Sequence, residues 1–97
     1  MIDLPPNQLE QVCEIVKRHL HAGEVFAFGS RVNGRAKKFS DLDLMIKTAA
    51  TLPWRTLAAL RESFEASDLP IAVDVVDWST CTERFRSLVA PQLVRVL

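Results

Sequence analysis

Three aspartates and a glycine-serine pair are the residues of this sequence whose types and spacing could do chemistry. Asp41 and Asp43 are separated by one residue and begin ten residues after Gly29-Ser30, and Asp74 lies farther along among valines. Clustered carboxylates repel and raise one another's pKa, whereas a bound divalent cation removes that penalty. Because every donor is an oxygen, the pattern predicts a site for Mg²⁺ or Mn²⁺.

The Gly29-Ser30 pair has the composition of a phosphate-binding bend. It follows the apolar run 25–28, so we expect it where a strand turns into a helix, with Ser30 as the N-cap. Glycine allows close backbone approach, and a helix N-terminus offers N–H groups to an anion. The next residues are basic, through Arg31, Arg35, Lys37 and Lys38. A phosphate cradle facing carboxylates predicts phosphoryl or nucleotidyl transfer with two metal ions.

Apolar periodicity predicts the helices and strands that must position these residues. Helical spacing predicts helices near 6–21 and over the stripe 54–64, and a third after Thr80 and Glu83, which have capping-box spacing. Apolar and β-branched runs predict strands over 25–28, 41–46 and 71–76. The terminal segment 92–97 has no predicted element.

Strand geometry predicts how the aspartates come together. Alternate side chains of a strand share one face, so Asp41 and Asp43 should point the same way. Asp74 completes a triad with them if its strand neighbours theirs. Asp77 competes for the third position, but we expect it to end the strand as a turn or cap residue, because Asp74 is the one embedded in the apolar run.

Composition limits the other functions open to the chain. Its 97 residues weigh 10.9 kDa and favour a single domain over 1–97. Twelve basic and twelve acidic residues cancel, which argues against direct nucleic-acid binding. We find no apolar run of membrane-spanning length and no signal peptide, so we expect a cytoplasmic protein without membrane association. Two distant cysteines indicate neither a disulfide framework nor a zinc site.

The combined pattern closely resembles the polymerase-β-like nucleotidyltransferase superfamily. Within it, the sequence is similar to the minimal nucleotidyltransferase (MNT) branch, whose members are often encoded beside a HEPN-domain protein. The resemblance covers most of the chain and is carried by three segments, 29–34 (GSRVNG), 40–44 (SDLDL) and 73–78 (VDVVDW). It implies an α/β (α+β) fold with a small mixed β-sheet flanked by helices.

The resemblance also implies a role for each matching residue. Asp41 and Asp43 would hold two Mg²⁺ ions and, through one of them, ATP. Asp74 would ligate the catalytic metal and help to deprotonate an acceptor hydroxyl, which attacks the α-phosphate and expels pyrophosphate. The implied nucleotide-binding residues are Gly29 and Ser30, at the β- and γ-phosphates, with Arg31 and Lys38 as further phosphate contacts.

The function that the resemblance implies is protein adenylylation. In MNT/HEPN pairs the first protein is an antitoxin that attaches AMP to a tyrosine of the HEPN toxin. The chain ends at Leu97 without an acceptor-binding domain, so we expect a hetero-oligomer in which a HEPN protein presents the acceptor. Two alternatives stay open: a subunit that modifies a small molecule with a companion chain, and a module that binds nucleotide or masks a toxin without catalysis.

Overall fold

The computed structural model describes residues 1–97 and contains four helices and four strands, with two short 3₁₀ turns. In chain order the elements are α1 (Pro6–His19), β1 (Glu24–Phe28), α2 (Ser30–Asn33), β2 (Leu42–Lys47), α3 (Trp54–Glu65), β3 (Val73–Asp77), a 3₁₀ turn (Trp78–Thr80), α4 (Glu83–Val89), a second 3₁₀ turn (Ala90–Gln92) and β4 (Val94–Arg95).

The strands form one mixed sheet in the order β3-β2-β1-β4. β1 is antiparallel to both β2 and β4, whereas β2 and β3 are parallel. A parallel pair needs a crossover connection, and α3 supplies it. The expectation of a small mixed sheet flanked by helices is confirmed.

The two faces of the sheet differ in size and in what covers them. The larger core packs α1 and α3 on one face around fully buried residues of β2, including Leu42 and Leu44. The opposite face carries a smaller cluster in which Phe28, Met45 and Val89 are buried together. Asp43 lies between two residues of the larger core and so points to this second face. The smaller cluster therefore forms the floor beside the carboxylates.

Two backbone carbonyls on the outer edge of β3 accept hydrogen bonds from side chains. In the parallel ladder, the Leu42 N–H donates to the Ala72 carbonyl, so the carbonyls of Val75 and Asp77 point away from β2. Arg61 Nη2 of α3 donates to the Val75 carbonyl at 2.8 Å. The Asp77 carbonyl accepts from Thr80 Oγ1 at 3.0 Å.

Two predicted caps shift by one or two residues. Ser30 is the first residue of α2, and Gly29 takes the N-cap position with φ +80° and ψ −151°, because the bend after β1 needs a backbone conformation that favours glycine. Thr82, not Thr80, caps α4 and accepts from the Phe85 N–H at 3.1 Å. Thr80 is already engaged in the 3₁₀ turn.

The terminal segment without a predicted element contributes β4, whose two residues pair with β1. A two-residue strand has no periodicity for a sequence pattern to reveal.

None of the helices combines the length and the apolar character needed to cross a bilayer.

Candidate active site

Asp43 and Asp74 leave neighbouring strands side by side. They are direct register partners in the parallel pair β2/β3, and such strands lie about 4.8 Å apart. The condition on which Asp74 joins the other aspartates, that its strand neighbours β2, is therefore met. Asp41 lies one residue before β2 and is exposed. The sheet therefore brings Asp43 and Asp74 together, with Asp41 at their flank.

The Asp43 carboxyl is held in an environment that disfavours its charge. Partial burial raises its pKa, and the negative charges of Asp74 and Asp41 raise it further. The single ion pair of the structure joins Arg95 and Glu24, so no basic side chain forms an ion pair with this cluster. Unrelieved repulsion of this kind is a feature of sites that receive a cation or a proton.

Gly29 packs directly against the Asp43 carboxylate. A Cβ added to Gly29 would collide with Asp43 Oδ2 and lie 3.4 Å from its Cγ. The backbone at Gly29 also has φ +80°, a conformation that side-chain-bearing residues rarely adopt. Close approach and backbone conformation both require glycine here, and they place the bend against the carboxylates.

The backbone of the bend is anchored before α2 begins. The Gly29 N–H donates to Gln92 Oε1 at 2.9 Å, and the Gly29 carbonyl accepts from the N–H groups of Val32 and Asn33. The Gly29 N–H is thus occupied by a side chain of this protein. A ligand of the predicted Gly29-Ser30 cradle would therefore bind the donors after Gly29, which include the Ser30 hydroxyl. Gln92 itself was not predicted.

Arg31 is buried and bonds to backbone carbonyls, which its residue type did not predict. Its side chain is 5% exposed, and its guanidinium donates to three backbone carbonyls: Asp3 at 3.0 Å, Lys38 at 3.2 Å and Ser40 at 2.9 and 3.2 Å. These bonds tie the amino terminus and the basic loop to α2, and they fix the residue before Asp41. The structure does not support the predicted contact between Arg31 and phosphate.

Replacing Arg31 by methionine is expected to destabilise the fold by about 2–4 kcal/mol, because the backbone carbonyls of Asp3, Lys38 and Ser40 all lose the guanidinium that donates to them. Thermal unfolding measures the loss. Arg35→Met is the matched control, since Arg35 is exposed and follows α2 by two residues. Equal unfolding temperatures for the two variants would contradict a structural role for Arg31.

Lys38 and Asp77 both lie apart from the pair formed by Asp43 and Asp74. The Lys38 ammonium lies 5.4 Å from the centre of the exposed Phe39 ring, outside any ion pair with the aspartates. Asp77 is 2% exposed and accepts from the N–H groups of Leu52 at 3.0 Å and Ser79 at 2.9 Å. The prediction that Asp77 caps the end of the strand is confirmed, and Asp74 is left as the carboxylate beside Asp43.

A groove of about 640 Å³ opens beside the carboxylates. Its polar lining comes from Asp43, Asp74, Arg61 and Glu65, and the other five lining residues are apolar. Among the latter, the rings of Phe28 and Phe85 meet edge to face with centroids 6.0 Å apart. The site therefore combines acidic oxygens with a partly aromatic wall.

The donor atoms of the site suit a hard divalent cation. Carboxylate oxygens are the ligands that Mg²⁺ prefers, and burial with mutual repulsion makes a cation the natural neutralising partner. No group of three or more His, Cys, Asp or Glu side chains is gathered closely enough to hold a metal ion. The structure thus assembles a carboxylate pair, and the three-carboxylate ligand set stays a prediction.

Comparison with known proteins identifies relatives over most of the chain. Residues 10–92 match the model of the family described as "Polymerase beta, Nucleotidyltransferase". The chain is 42% identical over 88 residues to the "Probable protein adenylyltransferase MntA" of Haemophilus influenzae (strain Rd), covering 91% of this chain and 77% of that protein.

Two solved structures share the fold. One is a crystal structure of a toxin-antitoxin with AMP-PNP, which has a TM-score of 0.76 and 22% identity, with 92% of this chain and 72% of that chain covered. The other is a tri-AMPylated HEPN toxin from Shewanella oneidensis in complex with MNT antitoxin. Here the TM-score is 0.70 and the identity 20%, with 94% and 70% covered.

Proposed function

Because the chain belongs to the polymerase beta nucleotidyltransferase family, we propose that it is a cytoplasmic protein adenylyltransferase that moves AMP from ATP to a tyrosine hydroxyl of a HEPN-domain partner. In this proposal residues 1–97 act as one minimal nucleotidyltransferase domain and as the antitoxin of a toxin-antitoxin pair. The relative at 42% identity is named as an adenylyltransferase, and the structural neighbours include an MNT antitoxin bound to an AMPylated HEPN toxin.

One observation carries the proposal: Asp43 lies between Asp74, its register partner, and Gly29, which packs against its carboxylate. A glycine bend that approaches a carboxylate pair this closely allows triphosphate and metal ligands to share one site. In the proposal Asp43 and Asp74 hold Mg²⁺ together with Asp41, and two ions are expected. When bound, the metal neutralises the carboxylates and the phosphate oxygens and polarises the α-phosphate.

The protein's own residues have distinct parts in the proposed transfer. The Ser30 hydroxyl and the N–H groups that follow Gly29 orient the β- and γ-phosphates. Asp74, which is exposed, takes the proton of the acceptor hydroxyl while the acceptor oxygen forms a bond to the α-phosphorus. The bond between the α-phosphorus and the bridging oxygen breaks, and pyrophosphate leaves with that electron pair.

The groove favours an aromatic acceptor. Its wall includes Phe28, Val76 and Phe85, which can contact the face or edge of a phenol ring while its hydroxyl reaches Asp74. Aromatic pairs are stabilised by about 0.5–1.5 kcal/mol beyond burial alone. A tyrosine presented by another protein meets this requirement better than a polyhydroxylated small molecule does.

Mass spectrometry of a HEPN-domain partner tests the proposal. After incubation with this chain, ATP and Mg²⁺, we expect the intact partner to gain the mass of one or more AMP groups and peptide mapping to place them on tyrosine. The reaction with EDTA in place of Mg²⁺ is the control and should leave the mass unchanged.

An unchanged partner mass in the presence of Mg²⁺ would contradict protein adenylylation. If pyrophosphate were then released only on addition of an aminoglycoside or another small hydroxyl compound, the small-molecule alternative would replace it. If the partner were neutralised with neither adduct nor pyrophosphate, the chain would act by masking.

A further inference from the structure

Gln92 lies opposite Gly29, at the position where the pairing of β1 and β4 would continue if β4 were longer. β1 and β4 pair antiparallel, with Phe26 opposite Arg95 and Ala27 opposite Val94. Each step forward along β1 is a step back along β4, so the same register brings Gly29 opposite Gln92. The backbone of Gln92, however, belongs to the 3₁₀ turn Ala90–Gln92 rather than to the strand.

The Gln92 side chain supplies the acceptor that the turned backbone does not. Its Oε1 accepts from the Gly29 N–H at 2.9 Å, which extends the ladder by one bond beyond β4. Because a backbone N–H can only donate, the amide oxygen must face Gly29 and Nε2 must face away. The contact joins residues 63 positions apart in the chain.

This bond fixes the direction of the donors that follow. Gly29 has φ +80° and ψ −151°, a combination open to few residues and held only when its surroundings determine it. Asp43 packs on one side of Gly29, and Gln92 holds its N–H. With both constraints in place, the Ser30 hydroxyl and the N–H groups at the start of α2 keep one orientation.

We infer that Gln92 is a positioning residue for the nucleotide site: it acts through Gly29 to pre-orient the donors that receive the triphosphate. The inference rests on the proposed function, since it takes the bend as the triphosphate site. Gln92 is assigned no contact with the reacting atoms.

The test compares Gln92→Leu with Gln92→Glu and with the control Gln11→Leu. Leucine removes the acceptor, whereas glutamate keeps an oxygen for the Gly29 N–H. Gln11 is half-buried like Gln92 and lies on α1. Its change to leucine is therefore the same substitution, made at a position that does not contact Gly29. Two measurements apply to each variant: hydrogen exchange of the Gly29 amide by NMR, and binding of AMP-PNP with Mg²⁺ by calorimetry.

We expect Gln92→Leu to speed exchange of the Gly29 amide and to weaken AMP-PNP binding by about fivefold, as loss of one hydrogen bond implies. Gln11→Leu should change neither. Gln92→Glu should restore protection of the Gly29 amide, which a merely space-filling role would not require.

Two outcomes would overturn the inference. One is a Gly29 amide that stays protected in Gln92→Leu, which would mean that Gln92 does not hold it. The other is AMP-PNP binding by Gln92→Leu within about twofold of the wild type. Failure of the wild-type protein itself to bind AMP-PNP with Mg²⁺ is a different result: it contradicts the proposed function and, with it, any role of Gln92 in nucleotide binding.

Discussion

Replacing Asp43 by asparagine is expected to slow adenylyl transfer strongly while raising the unfolding temperature of the metal-free protein. Asparagine keeps the shape of the side chain but removes the charge that would bind metal, so the transfer rate should fall by about 10³-fold. The same charge is half-buried and repelled by Asp74 and Asp41, so its removal relieves a strain on the folded state.

The pH dependence of stability has a defined sign. Burial and the neighbouring carboxylates raise the pKa of Asp43 in the folded protein above its ordinary value. The folded state therefore binds this proton at higher pH than the unfolded state, and the wild type regains stability as the pH falls through the folded pKa. The advantage of Asp43→Asn should be largest above that pKa and should vanish below the ordinary pKa of aspartate.

Thermal unfolding with and without Mg²⁺, together with partner mass spectrometry, measures both effects. Mg²⁺ should stabilise the wild type more than Asp43→Asn, because a ligand stabilises only the state that binds it. Asp68→Asn, an exposed change outside the site, is the control. Wild-type transfer by Asp43→Asn would contradict a role for this carboxylate, and toxin neutralisation by a variant that cannot transfer AMP would indicate masking.

Replacing Gly29 by alanine is expected to impair both folding and activity more than its size suggests. The new methyl group would collide with the Asp43 carboxylate in a backbone conformation that favours glycine. Overpacking and strain together predict a loss of about 3 kcal/mol in the free energy of unfolding. Displacing Asp43 from Asp74 should reduce transfer by at least about 10²-fold, since small errors of placement are costly at a reacting centre.

Gly34→Ala provides the control for this prediction. Gly34 also has positive φ, +81°, but a Cβ there meets nothing within 4 Å, so only backbone strain of about 1–2 kcal/mol is expected. Gly29→Ala in an Asp43→Ala background removes the collision and should recover part of the lost stability. Chemical denaturation measures the wild type, the three single variants and the double variant, and equal losses for Gly29→Ala in both backgrounds would show that the carboxylate is not the cause.

The local sequence pattern identified the aspartates of the candidate site, but not Gln92 and Arg31, which hold the neighbouring backbone. The spacing of Asp41 and Asp43 predicts a shared face, although β2 begins only after Asp41, and the apolar setting of Asp74 favours it over Asp77 without knowledge of its register with Asp43. The role of Gln92 depends on the register of a two-residue strand that only the folded chain defines. The burial of Arg31 was not predicted because arginines are mostly exposed, whereas this one donates to backbone carbonyls from a buried position.

The covered edge of β3 restricts how a partner can approach the site. Arg61 occupies the Val75 carbonyl, and the turn after β3 occupies that of Asp77, so an incoming segment finds no continuous row of backbone groups with which to extend the sheet. β-Augmentation beside Asp74 is therefore disfavoured. On the proposed function, recognition of the acceptor would then rest on side-chain shape and charge, which favours one folded partner over extended peptides.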